Sequence, residues 1–205
     1  MLITISRQFG AGGSLVAQLV ARELGWSVID NELVDEIARR IGKPVEEVAE
    51  REERVPTFVE RLARALVASP EVPLVSATPL DSLDEAEMVK VTEAVVGEAA
   101  QEGKVVLVGR AASAVLARES GAIHVQLVAP RSFRIRVVAE RSGMDGKAAE
   151  KRIGETDGQR ARYHKQYYNR DWSDPVNYHL VLNTGALGFE GAAGLIVARA
   201  RAMGW

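Results

Sequence analysis

Residues 2–24 contain the feature that most constrains the fold. The apolar run Leu2–Ile5 is typical of a strand buried on both faces of a parallel sheet. A glycine-rich turn at residues 10–13 follows it, and from Ser14 to Leu24 the apolar residues recur at helical spacing. A strand, a glycine turn and a helix in this order bring free backbone N–H groups and the positive end of a helix dipole together, and this arrangement favours an anion.

The turn matches the phosphate-loop pattern G-x-x-x-x-G-K-[ST] only in part. Gly12 takes the place of the second glycine, and Ser14 supplies the hydroxyl that would bind Mg²⁺. Arg7 stands where the first glycine belongs, and Gly13 stands where the lysine belongs. The turn either holds a nucleotide phosphate or is an ordinary tight turn of an α/β domain. The residues of the expected phosphate cradle are Gly10, Ala11, Gly12, Gly13 and Ser14.

Length and composition limit the classes of protein. A chain of 205 residues with 47% hydrophobic and 26% charged residues predicts one globular domain, residues 1–205. A net charge of −2 argues against a nucleic-acid binder, and the absence of cysteine excludes disulfides and thiolate metal sites. No apolar run approaches the ~20 residues of a membrane span. The first strand leaves no room for a signal peptide, so we expect a cytoplasmic protein with no membrane partner. The oligomeric state stays open, with a homodimer as one alternative.

Short apolar runs alternate with helical patterns along the whole chain. They predict an α/β three-layer sandwich, in which a five-stranded parallel sheet has helices on both faces. The predicted strands lie near residues 2–5, 26–29, 104–108, 123–128 and 179–183. The charged and proline-containing stretch 43–83 predicts an insertion suited to a flap over a substrate. The three histidines are scattered without metal spacing, and we assign them no chemistry.

Two charged residues follow predicted strands, where open parallel sheets bind ligands. Asp30 ends the second strand, beside the glycine turn, and either contacts a ligand or caps the next helix. Arg110 follows the third strand and either binds an anionic ligand or pairs with a core carboxylate.

The segment 131–170 is rich in arginine and lysine in a chain that is otherwise acidic. It is either a solvated helix pair or a cationic lid that closes over phosphates. A lid would supply, through residues such as Arg160 and Arg162, the positive charge missing at Gly13.

Three stretches together resemble the cytidylate kinase-like family of P-loop kinases. They are ITISRQFGAGG, VVLVGRAA and the tail that contains Thr156–Arg160, Trp172–Pro175 and Leu182–Thr184. The resemblance implies a five-stranded P-loop core, an acceptor-binding insertion and an arginine-bearing lid. It also implies Mg²⁺-dependent transfer of the γ-phosphoryl group of ATP to a nucleoside monophosphate such as CMP.

The chain departs from true cytidylate kinases at three places. Gly13 replaces the loop lysine, the arginine expected a few residues after Asp30 is absent, and Ala111 replaces the aspartate expected after Arg110. The resemblance therefore supports nucleotide handling more than CMP specificity.

Three functional hypotheses follow. In a kinase, four arginines would neutralise the transferred group and three residues would bind the acceptor. The arginines are Arg7, Arg110, Arg160 and Arg162, and the acceptor-binding residues are Asp30, Arg110 and Asp157. Without its lysine the chain could instead be a nucleotide-binding regulator that has lost turnover. The third hypothesis is a dinucleotide oxidoreductase, which Gly10-x-Gly12 and Asp30 loosely fit.

Overall fold

The computed structural model describes residues 1–30 and 85–205. The predicted insertion 43–83 and the helix predicted to follow Asp30 lie outside the described residues. The described elements are β1 (Leu2–Arg7), α1 (Gly13–Leu24), β2 (Ser27–Asp30), α2 (Glu85–Glu102), β3 (Val105–Val108), α3 (Ala112–Val115), β4 (Ala122–Val128), α4 (Arg131–Ser142), α5 (Gly146–Tyr168), a 3-10 turn (Pro175–Asn177), β5 (Leu180–Asn183) and α6 (Thr184–Ala202).

The five strands form one parallel sheet in the order β2-β3-β1-β4-β5. The predicted α/β fold with a five-stranded parallel sheet is confirmed. Strand β1 lies at the centre, where Ile3 is in register with Val106 of β3 and Ile123 of β4. The loop that follows β1 therefore leaves the middle of the sheet at the edge formed by the carboxyl ends of the strands.

The position of β2 corrects one expectation. Strand β3 lies between β1 and β2, so Asp30 is not beside the glycine turn but one strand further away. Its register partner is Val108 of β3. In the dinucleotide-binding fold the second strand is the neighbour of the first, so this strand order does not fit the oxidoreductase hypothesis.

Each face of the sheet is covered by helices because side chains alternate between the faces along a strand. Ile3 and Ile5 of β1 pack into the cluster formed with α1 and α6. Leu2 packs on the opposite face, with Val105, Leu107 and residues of α2 and α3. Among residues 1–30 and 85–205, none of the helices combines the length and apolar character needed to cross a membrane.

Two of the three histidines contact each other, although they are far apart in the sequence: His124 is buried in β4, and His179 is exposed just before β5. The rings of His124 and His179 stack with centroids 5.0 Å apart. His124 Nδ1 lies 2.8 Å from Thr4 Oγ1, and its Nε2 lies 3.1 Å from the Leu116 carbonyl oxygen. A neutral ring satisfies both contacts, accepting from the hydroxyl and donating to the carbonyl. Burial, followed by the neighbouring His179, lowers the pKa of His124 to about 4.

This buried histidine predicts a pH-dependent stability. The pKa of His124 is about 4 in the folded protein against 6.5 as its ordinary value, so the unfolded chain binds more protons between these values. The contribution of neutral His124 to folding stability is complete above its pKa in the unfolded chain. It is lost as the pH falls toward its pKa in the folded protein. We expect scanning calorimetry to show a Tm that falls from about pH 7 to about pH 5.5, and a smaller fall in His124→Gln. An equal pH dependence of Tm in the unchanged protein and in His124→Gln would contradict the assignment of this effect to His124.

Candidate active site

The glycine loop, residues 7–14, is fixed in shape by its neighbours. Gly10 and Gly12 have φ angles of +85° and +78°, which side chains rarely adopt. A Cβ at Gly10 would lie 2.9 Å from Val138 Cγ2 of α4, and a Cβ at Gly12 would overlap the Phe189 ring of α6. These two positions therefore admit only glycine, as the sequence pattern indicates.

A cavity of about 410 Å³, here named the loop cavity, opens beside the glycine loop. Helix α1 begins at Gly13, so the backbone N–H groups of its first turn have no acceptor within the helix. Ser14, the second residue of α1, also borders the cavity. The described lining contains four arginines and no carboxylate; the arginines are Arg7, Arg141, Arg152 and Arg160. The loop cavity thus combines a helix N-terminus with a concentration of positive charge, which suits a polyanion.

Arg7 is a buried residue and not a surface arginine, with only 6% of its surface exposed. Its aliphatic part packs against Gly13, where a Cβ would lie 2.7 Å from Arg7 Cγ. Its guanidinium group lies against Gly109, where a Cβ would overlap Nη1. Because Arg7 is buried and packed between two glycines, we expect it to contribute more to stability than a surface arginine would.

The carboxylate of Asp157 joins helix α5 to the glycine loop. Its Oδ1 accepts from the Phe9 backbone N–H at 2.8 Å, and its Oδ2 lies 2.6 Å from Arg134 Nη1 of α4. The same Nη1 of Arg134 donates to the Phe9 carbonyl at 3.2 Å. Both polar groups of one loop residue are therefore held by an ion pair that links α4 with α5.

A second set of contacts from α5 reaches the same loop. Arg160 Nη1 donates to the Arg7 carbonyl at 2.8 Å. The guanidinium carbons of Arg152 and Arg160 lie 5.5 Å and 5.8 Å from the centroid of the Phe9 ring. These distances allow cation–π attraction, so α5 holds these two arginines close to the loop.

A second cavity of about 420 Å³, here named the strand-end cavity, lies at the carboxyl ends of β1 and β3. Arg7 and Arg160 border this cavity as well as the loop cavity. Trp172 forms part of its wall, where the indole Nε1 donates to Ser6 Oγ at 2.7 Å. The Trp172 carbonyl accepts from Gln126 Nε2 at 2.8 Å, so this wall is anchored to β1 and β4.

The structure separates the other predicted site residues. Arg110 borders the strand-end cavity from an exposed position, in a backbone turn where its φ is +53°. Asp30 is buried, and Asp157 is engaged with the glycine loop; neither is among the residues that border the two cavities. Arg162 is exposed on α5 and also lies outside the lining of both.

Sequence reasoning missed several residues of the two cavities. Successive turns of α5 bring four side chains to the cavities in a four-residue repeat. The sequence analysis selects Arg160 but not the other three, Arg152, Thr156 and His164. Residues four apart share one face of a helix, and this spacing was the signal that could have selected them. Nothing in the local sequence marks Arg134, because its role depends on contacts with a distant loop.

Comparison with known proteins identifies relatives of this chain. Residues 2–186 match the family described as the cytidylate kinase-like family. The chain is 37% identical over 95 residues to the cytidylate kinase of Methanopyrus kandleri. That match covers 42% of the chain and 49% of the enzyme, so it spans about half of each.

Solved structures agree with the fold. An uncharacterized protein from Eubacterium ventriosum has a TM-score of 0.63 at 21% identity, with 98% of each chain covered. Shikimate kinase from Bacteroides thetaiotaomicron has a TM-score of 0.51 at 17% identity, with 99% of this chain and 97% of the other covered. At these identities the likeness concerns the α/β fold alone.

Replacing Asp157 tests the contact between α5 and the glycine loop. Asp157→Asn leaves the guanidinium of Arg134, whose side chain is 9% exposed, without its counter-charge. We expect a loss of about 3 kcal/mol in the free energy of unfolding, measured with denaturant, as for other broken buried pairs.

The matched control is Glu155→Gln on the same helix. Glu155 pairs with Lys151 at 3.8 Å, and both side chains are exposed. An exposed pair of this kind contributes less than about 1 kcal/mol. Losses of similar size in the two variants would contradict the role assigned to Asp157.

Proposed function

We propose that this chain, which belongs to the cytidylate kinase-like family, is an ATP-dependent phosphotransferase that phosphorylates a nucleoside monophosphate. The observation that carries the proposal is the shared wall of the two cavities. Arg7 and Arg160 border both, one from the end of the central strand and the other from α5. Two anionic substrates bound on either side would meet at these two guanidinium groups.

In this proposal the loop cavity binds the phosphates of ATP. Backbone N–H groups of Gly10 and residues 12–14 hold the β-phosphate, and the terminal phosphoryl group faces the shared wall. Ala11, expected in the cradle from the sequence, is buried and its N–H donates to the Gln8 carbonyl at 3.0 Å. The acceptor oxygen attacks that phosphorus from the strand-end cavity, the bond to the β-phosphate oxygen breaks, and ADP leaves. Positioning and charge neutralisation supply the rate enhancement, since the chain provides no covalent step.

Mg²⁺ fits this site through Ser14. Ser14 borders the loop cavity, and its hydroxyl would bind the ion as the serine or threonine of a phosphate loop does. The described residues form no group of three or more acidic or histidine side chains able to bind a metal. Nucleotide phosphates and water would complete the coordination, as Mg²⁺ usually permits. When bound, the ion neutralises charge on the phosphates.

Arg7 would take the place of the missing lysine. A phosphate loop normally directs a lysine at the β- and γ-phosphates, and in this chain Gly13 has no side chain to do so. The volume next to Gly13 is filled by Arg7, whose guanidinium reaches the end of β3 at Gly109. A guanidinium can bind two phosphate oxygens at once, so we assign Arg7 to the transferred group together with Arg160.

The acceptor would carry its own negative charge. The described lining of the strand-end cavity contains three arginines and no carboxylate; the arginines are Arg7, Arg110 and Arg160. A phosphate monoester suits this lining, and a nucleoside monophosphate is the acceptor that cytidylate kinases use. Asp30 does not border this cavity. It would belong to a further part of the acceptor site, formed by residues outside this lining.

A second candidate is a nucleotide-binding regulator without turnover. The observation that favours it is Gly13, because a site that lost its lysine could still bind nucleotides through backbone N–H groups. Binding would then occur without the release of ADP, so a turnover assay separates the two candidates.

The first test is a panel of acceptors with Mg²⁺ and ATP. We expect ADP release, in a coupled assay, with CMP or another nucleoside monophosphate and none above background without an acceptor. Binding of ATP without ADP release for every nucleoside monophosphate would favour the regulator. Binding of NADH without any adenine mononucleotide would contradict both candidates.

The second test is Arg7→Ala. As a substitute for the lysine, Arg7 contacts charge that develops in the transition state, and its loss should lower kcat/KM by roughly 10²–10³. Because Arg7 is buried, we also expect a lower Tm, so kinetics are measured well below the unfolding transition. Arg7→Lys keeps the charge without the forked geometry and should retain part of the activity.

Arg162→Ala is the matched control for the arginines of the site. Arg162 is exposed on α5, two residues after Arg160, and borders neither cavity. We expect kcat/KM within about twofold of the unchanged protein, since surface charges contribute little. Wild-type turnover in Arg7→Ala would transfer the role to Arg160.

A further inference from the structure

His164 is a buried residue of the strand-end cavity to which the sequence assigns no role. It lies one turn after Arg160 on α5 and has only 7% of its surface exposed. The helix ends four residues later, at Tyr168, and the Arg170 backbone N–H donates to the His164 carbonyl at 3.2 Å. The backbone of His164 is therefore held by a closed helix end.

The imidazole of His164 differs from that of the other buried histidine. His124 has both nitrogens within hydrogen-bond distance of Thr4 and Leu116. For His164, the described part of the chain provides no hydrogen bond to either nitrogen. Its ring lies beside that of Tyr168, with the two centroids 6.3 Å apart. The ring nitrogens are not sealed off from the strand-end cavity that His164 borders, so they are available to hydrogen-bond a ligand there.

We propose that His164 is a specificity-determining residue that hydrogen-bonds the uncharged base of the acceptor, while Arg160 faces its phosphate. This inference rests on the proposed phosphotransferase function. It specifies how the acceptor is oriented in the strand-end cavity. The phosphate lies at the shared wall, and the base lies one helical turn away along α5.

The spacing and chemistry along α5 support this direction. Four residues of helix advance by about 6 Å, which is comparable to the separation of the phosphate and base across a pentose. A neutral imidazole offers one donor and one acceptor, as does the edge of a pyrimidine ring. A phosphate offers acceptors alone and is better matched by the guanidinium of Arg160.

The electrostatic surroundings keep His164 neutral. Burial, followed by the positive charge of Arg170, lowers the pKa of His164 to about 4. Arg170 itself is held by Asn177 Oδ1 at 2.7 Å and by the Ser113 carbonyl at 2.8 Å. At neutral pH the side chain therefore acts as a hydrogen-bonding group and not as a cation.

The test compares two ligands that differ by the base. Binding of CMP and of ribose 5-phosphate is measured by titration calorimetry for the unchanged protein and for His164→Phe. Losing one hydrogen bond to the base should raise the Kd of CMP about tenfold, whereas the Kd of ribose 5-phosphate should stay within about twofold. His164→Gln, which keeps a donor and an acceptor, should recover part of the CMP affinity.

Three results would overturn the inference. They are equal weakening of both ligands, no weakening of either, and CMP binding to the unchanged protein no better than ribose 5-phosphate. His124→Gln is the control for a buried histidine outside the cavity and should leave both Kd values unchanged while altering stability. The binding comparison is independent of turnover, so failure of the inference is distinct from an absence of ADP release.

Discussion

The candidate site depends on one buried cation at the end of the central strand. The side chain of Arg7 extends from Gly13 to Gly109. Because neither glycine has a side chain, each leaves space that Arg7 fills. Removing a guanidinium from water costs several kcal/mol unless charges or acceptors oppose it, and a bound phosphate would add opposing charge. The absence of a lysine from the loop and the burial of Arg7 are thus two aspects of one packing arrangement.

Helix α5 organises the space around this cation. Its Asp157 holds the backbone of Phe9, and its Arg160 holds the carbonyl of Arg7. Side chains at four-residue intervals then pass from the loop cavity to the strand-end cavity. The same helix therefore fixes the shape of the glycine loop and lines both cavities, so a change in its position would alter the two together.

The sheet and the glycine loop could be predicted because their signals are local. Apolar runs define the strands, and glycines at positive φ define the turn. The neighbour of β1 could not be read from order along the chain, which is why Asp30 was placed beside the turn. The burial of Arg7 depends on space at Gly109, which belongs to a strand distant in sequence. Asp157 resembled a ligand-binding carboxylate because its partners, Arg134 and the Phe9 N–H, become neighbours only in the folded chain.

The most direct measurement moves the positive charge from residue 7 to residue 13, replacing Arg7 by a lysine at Gly13. A Cβ at Gly13 would lie 2.7 Å from Arg7 Cγ, so Gly13→Lys alone should lower both Tm and kcat/KM. In the Arg7→Ala background the space is empty, and adding Gly13→Lys should raise kcat/KM by about tenfold or more over Arg7→Ala alone, because it returns a cation to the phosphates. A double variant whose losses are the sum of the single losses would contradict the account in which Arg7 replaces the lysine.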